Sequence, residues 1–479
     1  MATKDKMQTT AGSWVLLGSI VPKDAHIVAL LRHAGTVIIG HTNLDEWAGM
    51  RCSRDYSNGY SARGGQTRNA YDLSRSPQGS SSGSAVAVSA NIVPLSFGTE
   101  TDTSIIWPAM AAGIVGIKPT VGLTSRSGVI PISETQDSVG PMGRCVADAV
   151  CGLDAIVGVD NEDPFTLVKE RRQEKCYARF LAGKEVLRGA RFGVPGKRFW
   201  DSAPESQRKV VEEVFDLIKE AGAEIMRVEM PCAEERIGEN GEWDWERYGD
   251  TDPSRSEITV NKVECYYTFN RYLASLTNTP IKSLEDVIAF NDANRGTEGP
   301  YPGDHPAFPT GQDLFRATLA TRGEKDKVYH AALSHIRHQC RENGIDAALR
   351  DPQTLGSSGS ETERKRELDA LLFCDVKGAG QQIAAQAEAL KPSSPMKYLL
   401  TIRYTAYPII TLPVGLDSSG MPVGLTLQHT AWREATLIKW ASAIEDLLLL
   451  SRGTRPAPRF RNHLAKNVPV KEAWDYPME

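Results

Sequence analysis

The chain has 479 residues, of which 24% are charged and 41% hydrophobic, and 55 Lys and Arg against 60 Asp and Glu leave a formal net charge of -5. That length holds about two to four domains or one large apolar core, and the interleaved charges lack the basic excess of a nucleic-acid binder. Eight scattered Cys without CxxC spacing exclude a disulfide scaffold, and no HExxH or His/Cys cluster signals zinc. His335 and His338, an i,i+3 pair on a charged helix, read as solvated. The N-terminal MATKDKMQTTAG has no apolar h-region, and no run approaches about 18 apolar residues. Neither a signal peptide nor a membrane span is expected, and the expected location is cytoplasmic with reduced thiols.

In chain order, residues 24–34 place Ile27, Val28, Leu30 and Leu31 on one side of a helix that Gly35 ends. Thr36–Gly40 (TVIIG) reads as a short buried strand. Arg51 to Ser84 is a long polar stretch without hydrophobic period, and such a loop is functional or disordered. Ala85–Ala90 reads as a close-packing helix, Val93–Phe97 as a strand, and Ile105–Ile117 as apolar again. Polar loops clamped between buried elements are how an active site is built. Further on come a strand at Ala190–Val194, an amphipathic helix at Ser206–Glu220 and a strand at Glu224–Val228, the alternation of an α/β layered sheet. Residues 232–256 and 293–313 read as surface excursions, and 351–366 as mobile. Buried pattern returns at Ala370–Phe373 and Tyr407–Leu427, and the tail after Arg452 reads as an extended surface segment.

Two short stretches carry the chemistry. Pro77-Gln78-Gly79-Ser80-Ser81-Ser82-Gly83-Ser84 runs into a helix, and Gly98-Thr99-Glu100-Thr101-Asp102-Thr103-Ser104-Ile105 joins a strand to the next helix. A Gly/Ser loop at a helix N-terminus gathers unpaired amides that suit an oxyanion. A serine at a strand-to-helix turn is placed to act as a nucleophile beneath such amides. On local chemistry alone a flexible linker and an N-cap serine stay open for the two stretches. A phosphate-binding loop is a weaker rival, because GxxxxGK[ST] is missing.

These residues resemble the amidase signature family, Ser-Ser-Lys hydrolases of carboxamides. Its GGSSGGSA and GTDxGGSI patterns are matched by residues 78–85 and 98–105, flanked by Gly40-His41-Thr42-Asn43, Thr67-Arg68-Asn69, Val115-Gly116-Ile117-Lys118-Pro119-Thr120 and Asp137-Ser138-Val139-Gly140-Pro141. Tyr407–Gly415 and Met421–Leu425 resemble its closing strands. The resemblance implies one α/β domain over 1–479, with a mixed central β-sheet covered by helices on both faces. Its signature core would span about 35–150, its variable substrate side about 230–320, and its closing strands about 369–450. By position, Ser104 matches the acyl-forming nucleophile, Ser80 the serine on a cis peptide that relays the proton, and Ser81 a supporting hydroxyl. The amides of Thr101, Asp102, Thr103 and Ser104 match the oxyanion hole. No metal or organic cofactor is required. The implied partner is a small-molecule amide substrate, with no nucleic acid and no membrane, and a homodimer is left open.

The family's catalytic lysine, made neutral by burial, precedes a stretch like Thr9-Thr10-Ala11-Gly12-Ser13 and would fall upstream of Met1. Relative to the family the chain is thus N-terminally truncated. Lys4 and Lys6 lie too close to Thr9 for that role and read as surface lysines. Residues 388–405 read as an insertion. Asp102 and Thr103 stand where the family has paired glycines, so the turn is less free in φ. Ile106 and Trp107, in place of a frequent arginine and its neighbour, favour an uncharged acyl group. Three functions follow: an amidase-type hydrolase, a catalytically impaired relative without its base, and the glutamine-hydrolysing component of an amidotransferase.

Overall fold

The structure, a computed structural model, describes residues 1–53, 56–196, 199–235, 252–350, 367–374 and 406–458. Helix α1 (His26–His33) buries Ile27, Val28 and Leu31, and Gly35 closes it at φ +78°. A two-residue hairpin, β1 (Tyr60–Ser61) and β2 (Gly65–Gln66), interrupts the long polar stretch. The signature region continues with α2 (Ser82–Ser89), β3 (Leu95–Glu100), α3 (Ile106–Ala111), β4 (Val115–Lys118), β5 (Ser138–Gly143) and α4 (Val146–Ile156). Then come β6 (Arg191–Pro195), α5 (Glu205–Glu220) and β7 (Glu224–Val228), each within a residue of the sequence expectation. A helical group follows: α6 (Glu257–Ser275), α7 (Leu284–Ala293), α8 (Arg295–Glu298), α9 (Asp313–Thr321), α10 (Lys327–Cys340) and α11 (Asp346–Leu349). Strands β8 (Ala370–Cys374), β9 (Ile409–Leu416) and β10 (Pro422–Gln428) and helix α12 (Glu434–Arg452) complete the order.

Among the described residues, eight strands form one mixed sheet in the order β3-β5-β4-β9-β10-β8-β6-β7. The pairs from β3 to β8 are antiparallel, and β8-β6 and β6-β7 are parallel. Strand alternation distributes the core to two faces. Ala370 and Leu372 of β8 pack with α4, α5 and α12, whereas Leu371 and Phe373 pack with α2, α3, α6 and α10. Helices thus cover both faces, as the expected α/β fold requires. Helix α5 reaches the sheet because Val211, Val214, Phe215 and Ile218 recur every three or four residues on one side. A third cluster joins α1 to α6, α7 and α9 through Leu31, Trp47, Phe269 and Phe315.

Several expectations require correction. Residues 36–40 are not a buried strand: Val37 and Ile39 are 82% and 67% exposed, and no described strand pairs with them. Strand β3 starts two residues late because the Ile92 and Val93 amides still donate to the Ala87 carbonyl at the end of α2. The 293–313 excursion is anchored rather than superficial. Glu298 is fully buried against Arg51, which also binds Glu46 and stacks 3.9 Å from the Phe308 ring centroid. His335 is not simply solvated, because its Nε2 lies 2.7 Å from Glu235. Residues 236–251, 351–366, 388–405 and the tail beyond residue 458 lie outside the described residues.

Candidate active site

The serine-rich loop is a packed structure, not a linker. Gln78, Ser80, Ser81 and Ser82 are buried, Gln78 sits at φ +57°, and the Gly79–Ser80 peptide is cis. A Cβ on Gly79 would lie 2.1 Å from Asp45 Oδ2, so a larger residue there displaces that carboxylate. The Asp45 amide donates to the Ser80 carbonyl at 3.1 Å, and the Gly83 amide to the Asn43 carbonyl at 3.0 Å. The Asn43 side chain in turn donates to the Gly59 and Gly65 carbonyls at 3.0 and 2.8 Å, binding the β1–β2 hairpin to the same segment. Residues 42–45 are therefore the rail along which the loop runs.

The second stretch folds against the first. The Ser81 hydroxyl donates to the Thr99 carbonyl at 3.1 Å and accepts the Thr99 amide at 3.2 Å. Gly98 makes room, because a Cβ there would lie 2.7 Å from Ser81 Oγ. The Ser81 amide donates to the Ser104 carbonyl at 3.1 Å, which brings Ser80 and Ser81 to the turn holding Thr101, Asp102, Thr103 and Ser104. Ser104 is not an N-cap: the cap of α3 is Ile105, and the Ser104 hydroxyl donates to the Asp102 carbonyl at 3.3 Å. Thr103 occupies a left-handed φ of +54°, a conformation that costs a β-branched residue roughly 1–2 kcal/mol. The restricted freedom expected from the missing glycines is concentrated there. Ile106 and Trp107 are both buried in α3.

Glu100 and Asp137 beside the turn, and Lys118 and Glu434 beyond it, escaped the sequence reading. Glu100, at the end of β3, accepts the Ile105 and Ile106 amides at 2.7 and 2.9 Å, and burial raises its pKa. Lys118, fully buried on β4, donates to the Tyr407 carbonyl at 2.8 Å, and burial lowers it to about 8. Glu434 accepts the Thr120 amide at 2.7 Å and is likewise raised by burial. Asp137 accepts the Thr101 hydroxyl at 2.5 Å, and burial pushes its carboxyl up to about 6. Residue 100 pairs with 138 in the β3–β5 ladder, so 101 and 137 come next to each other just beyond its end. Among the described residues no group of three His, Cys, Asp or Glu is arranged to hold a metal.

A cavity of about 1180 Å³ is lined by Ser81, Ser84 and Thr99 and by Leu31, Val37 and Ile39. Lys6 lies at its rim and is exposed. Lys4 points elsewhere, donating to the Pro22 carbonyl at 2.6 Å.

Residues 1–240 match the family model described as Amidase. A Schizosaccharomyces pombe protein named as an amidase is 45% identical over 98% of this chain and 75% of its own length. A glutamyl-tRNA(Gln) amidotransferase component from Rhodopirellula baltica is 30% identical over 97% of this chain and 84% of its own. The solved peptide amidase of Stenotrophomonas maltophilia superposes with a TM-score of 0.78 at 37% identity, covering 96% of this chain and 82% of that one.

Proposed function

This chain belongs to the amidase family, and from that premise we infer that it hydrolyses a carboxamide through an acyl-enzyme on Ser104. The observation that carries this reading is the 3.1 Å bond from the Ser81 amide to the Ser104 carbonyl, which sets the serine loop against the nucleophile turn. Ser104 Oγ attacks the carbonyl carbon while its proton passes to Ser80, and Ser80 yields its own proton to a base. Because Glu100 already occupies the Ile105 and Ile106 amides, the developing oxyanion is left to the amides before them, Thr101 to Ser104. The C–N bond then breaks, the returning proton leaves with the amine, and water releases the acid by the reverse route. No step draws on a metal or organic cofactor.

The base is assigned to a lysine on a segment preceding Thr9, by the same resemblance. The cavity backing on Ser81, with the exposed Val37 and Ile39 along its wall, is the proposed seat of that segment. A peptide with a C-terminal carboxamide is the first substrate to assay, given the solved relative named a peptide amidase. Intact mass and the N-terminal peptide of the native protein establish whether the lysine is present. Ser104→Ala is expected to lower kcat at least about 10³-fold; turnover at the wild-type rate would sink the mechanism. A second reading, an impaired hydrolase, is favoured by the positions of Lys4 and Lys6, neither engaged with the serine loop. Rapid labelling of Ser104 by a fluorophosphonate probe would exclude it.

A further inference from the structure

Thr101 opens the turn whose amides face the oxyanion, and its hydroxyl is bonded to Asp137 rather than left to solvent. The other oxygen of Asp137 accepts the Ile132 and Ser133 amides at 2.8 and 3.0 Å, and the Asp137 amide returns to the Ser133 carbonyl at 3.0 Å. One carboxylate thus closes a turn at 132–137 and grips the loop across the sheet. That turn is itself clamped from the helical layer. Glu264 of α6 accepts the Ser133 hydroxyl, the Thr135 amide at 3.1 Å and the Tyr329 hydroxyl of α10 at 2.8 Å. Gln136 donates to Glu257, near the start of the same helix, at 2.8 Å. A continuous line of hydrogen bonds therefore runs from the variable helical side to the first residue of the oxyanion turn.

We propose that Asp137 is a positioning residue for the hydrolysis inferred above, holding the Thr101 hydroxyl so that the amides of the 101–104 turn keep a fixed aim. Glu264 holds Asp137 in register from the opposite side. A preorganised oxyanion site loses rate when its donors can swing, and the loss falls on kcat because the substrate's ground state uses them weakly. The carboxylate form is needed, since three donors converge on it. Its charged and titratable surroundings are Arg126, itself paired with Asp163, from the adjoining loop and Glu264 and Cys265 from α6. Burial opposes the ionised form more than the Thr101 and Ile132 hydrogen bonds and Arg126 favour it, which pushes the Asp137 carboxyl up to about 6.

The test compares Asp137→Asn, Thr101→Val, their double variant and Thr101→Ser with the wild type, reading kcat, KM and the pH profile of kcat on a peptide amide. Expected are tenfold to hundredfold falls in kcat with KM little changed for Asp137→Asn and Thr101→Val. The double variant should be no worse than the poorer single one, since both break the same contact. Thr101→Ser should restore the rate, and the acid limb near pH 6 should vanish in Asp137→Asn. If Asp137→Asn does not fold, Thr101→Val carries the test alone, and wild-type kcat with an unshifted acid limb there overturns the proposal. So does Asp137→Asn with an unaltered profile. A wild-type protein that neither turns over amides nor takes a probe on Ser104 overturns the hydrolase reading itself, a distinguishable result.

Discussion

The turn at 101–104 and the segment at 36–40 are opposite cases of how pattern becomes structure. The turn is polar, without period, and densely bonded: Glu100, Ser81 and Asp137 each make two or more hydrogen bonds. TVIIG is as apolar as any core strand, yet Val37 and Ile39 face outward beside a cavity. Hydrophobicity creates a demand for burial that only a partner can meet, whereas converging donors and acceptors rigidify a loop by themselves. In this chain order resides where the polar groups converge.

Substitutions sharpen that contrast. Ser80→Ala should lower kcat by about 10²–10⁴-fold in steady-state assays while leaving the fold intact, because the relay is removed but its scaffold is backbone. Arg51→Ala should cost about 3–5 kcal/mol, since it strands the fully buried Glu46 and Glu298; urea unfolding reads the drop, and an unchanged midpoint would mean the cluster is dispensable. Asp137 supplies a pH test. Its folded pKa lies above the ordinary carboxyl value, so the native state holds its proton more tightly and the stabilisation is complete below about pH 4. That contribution, on the order of 3 kcal/mol, is lost as pH rises through 6. The stability difference between wild type and Asp137→Asn should therefore vary between pH 4 and 6, and a flat difference would show that the group does not titrate there. Thr103→Gly should stabilise by about 0.5 kcal/mol, as relief of the left-handed strain exceeds the added chain entropy. Val37→Ser should change stability by less than about 0.5 kcal/mol in this chain, and a larger loss would reveal a partner covering the segment.

How much was readable beforehand follows the same division. Helix α5 and strands β6 and β7 were legible because their own periodicity specifies them. Ser80 and Ser104 stood out because they sit in long motifs. Glu100 and Asp137 did not, since a carboxylate gains its role from amides that arrive only when strand and loop meet. That 101 and 137 adjoin follows from the register of β3 on β5, and the sequence reading placed no strand at 138–143. Arg51 and Glu298 are 247 residues apart, and no local pattern couples a polar excursion to an arginine so distant.

The strand order also has a consequence for biosynthesis. Strand β4 borders β9 in the sheet, and the Lys118 side chain bonds Tyr407, 289 positions later. At typical ribosomal rates that interval takes roughly 15–60 s. Until β9 is made, β4 lacks one of its two sheet neighbours. Cellular yield should therefore respond to elongation speed and to chaperones that shield unpaired strands, more than to the intrinsic stability of the finished protein.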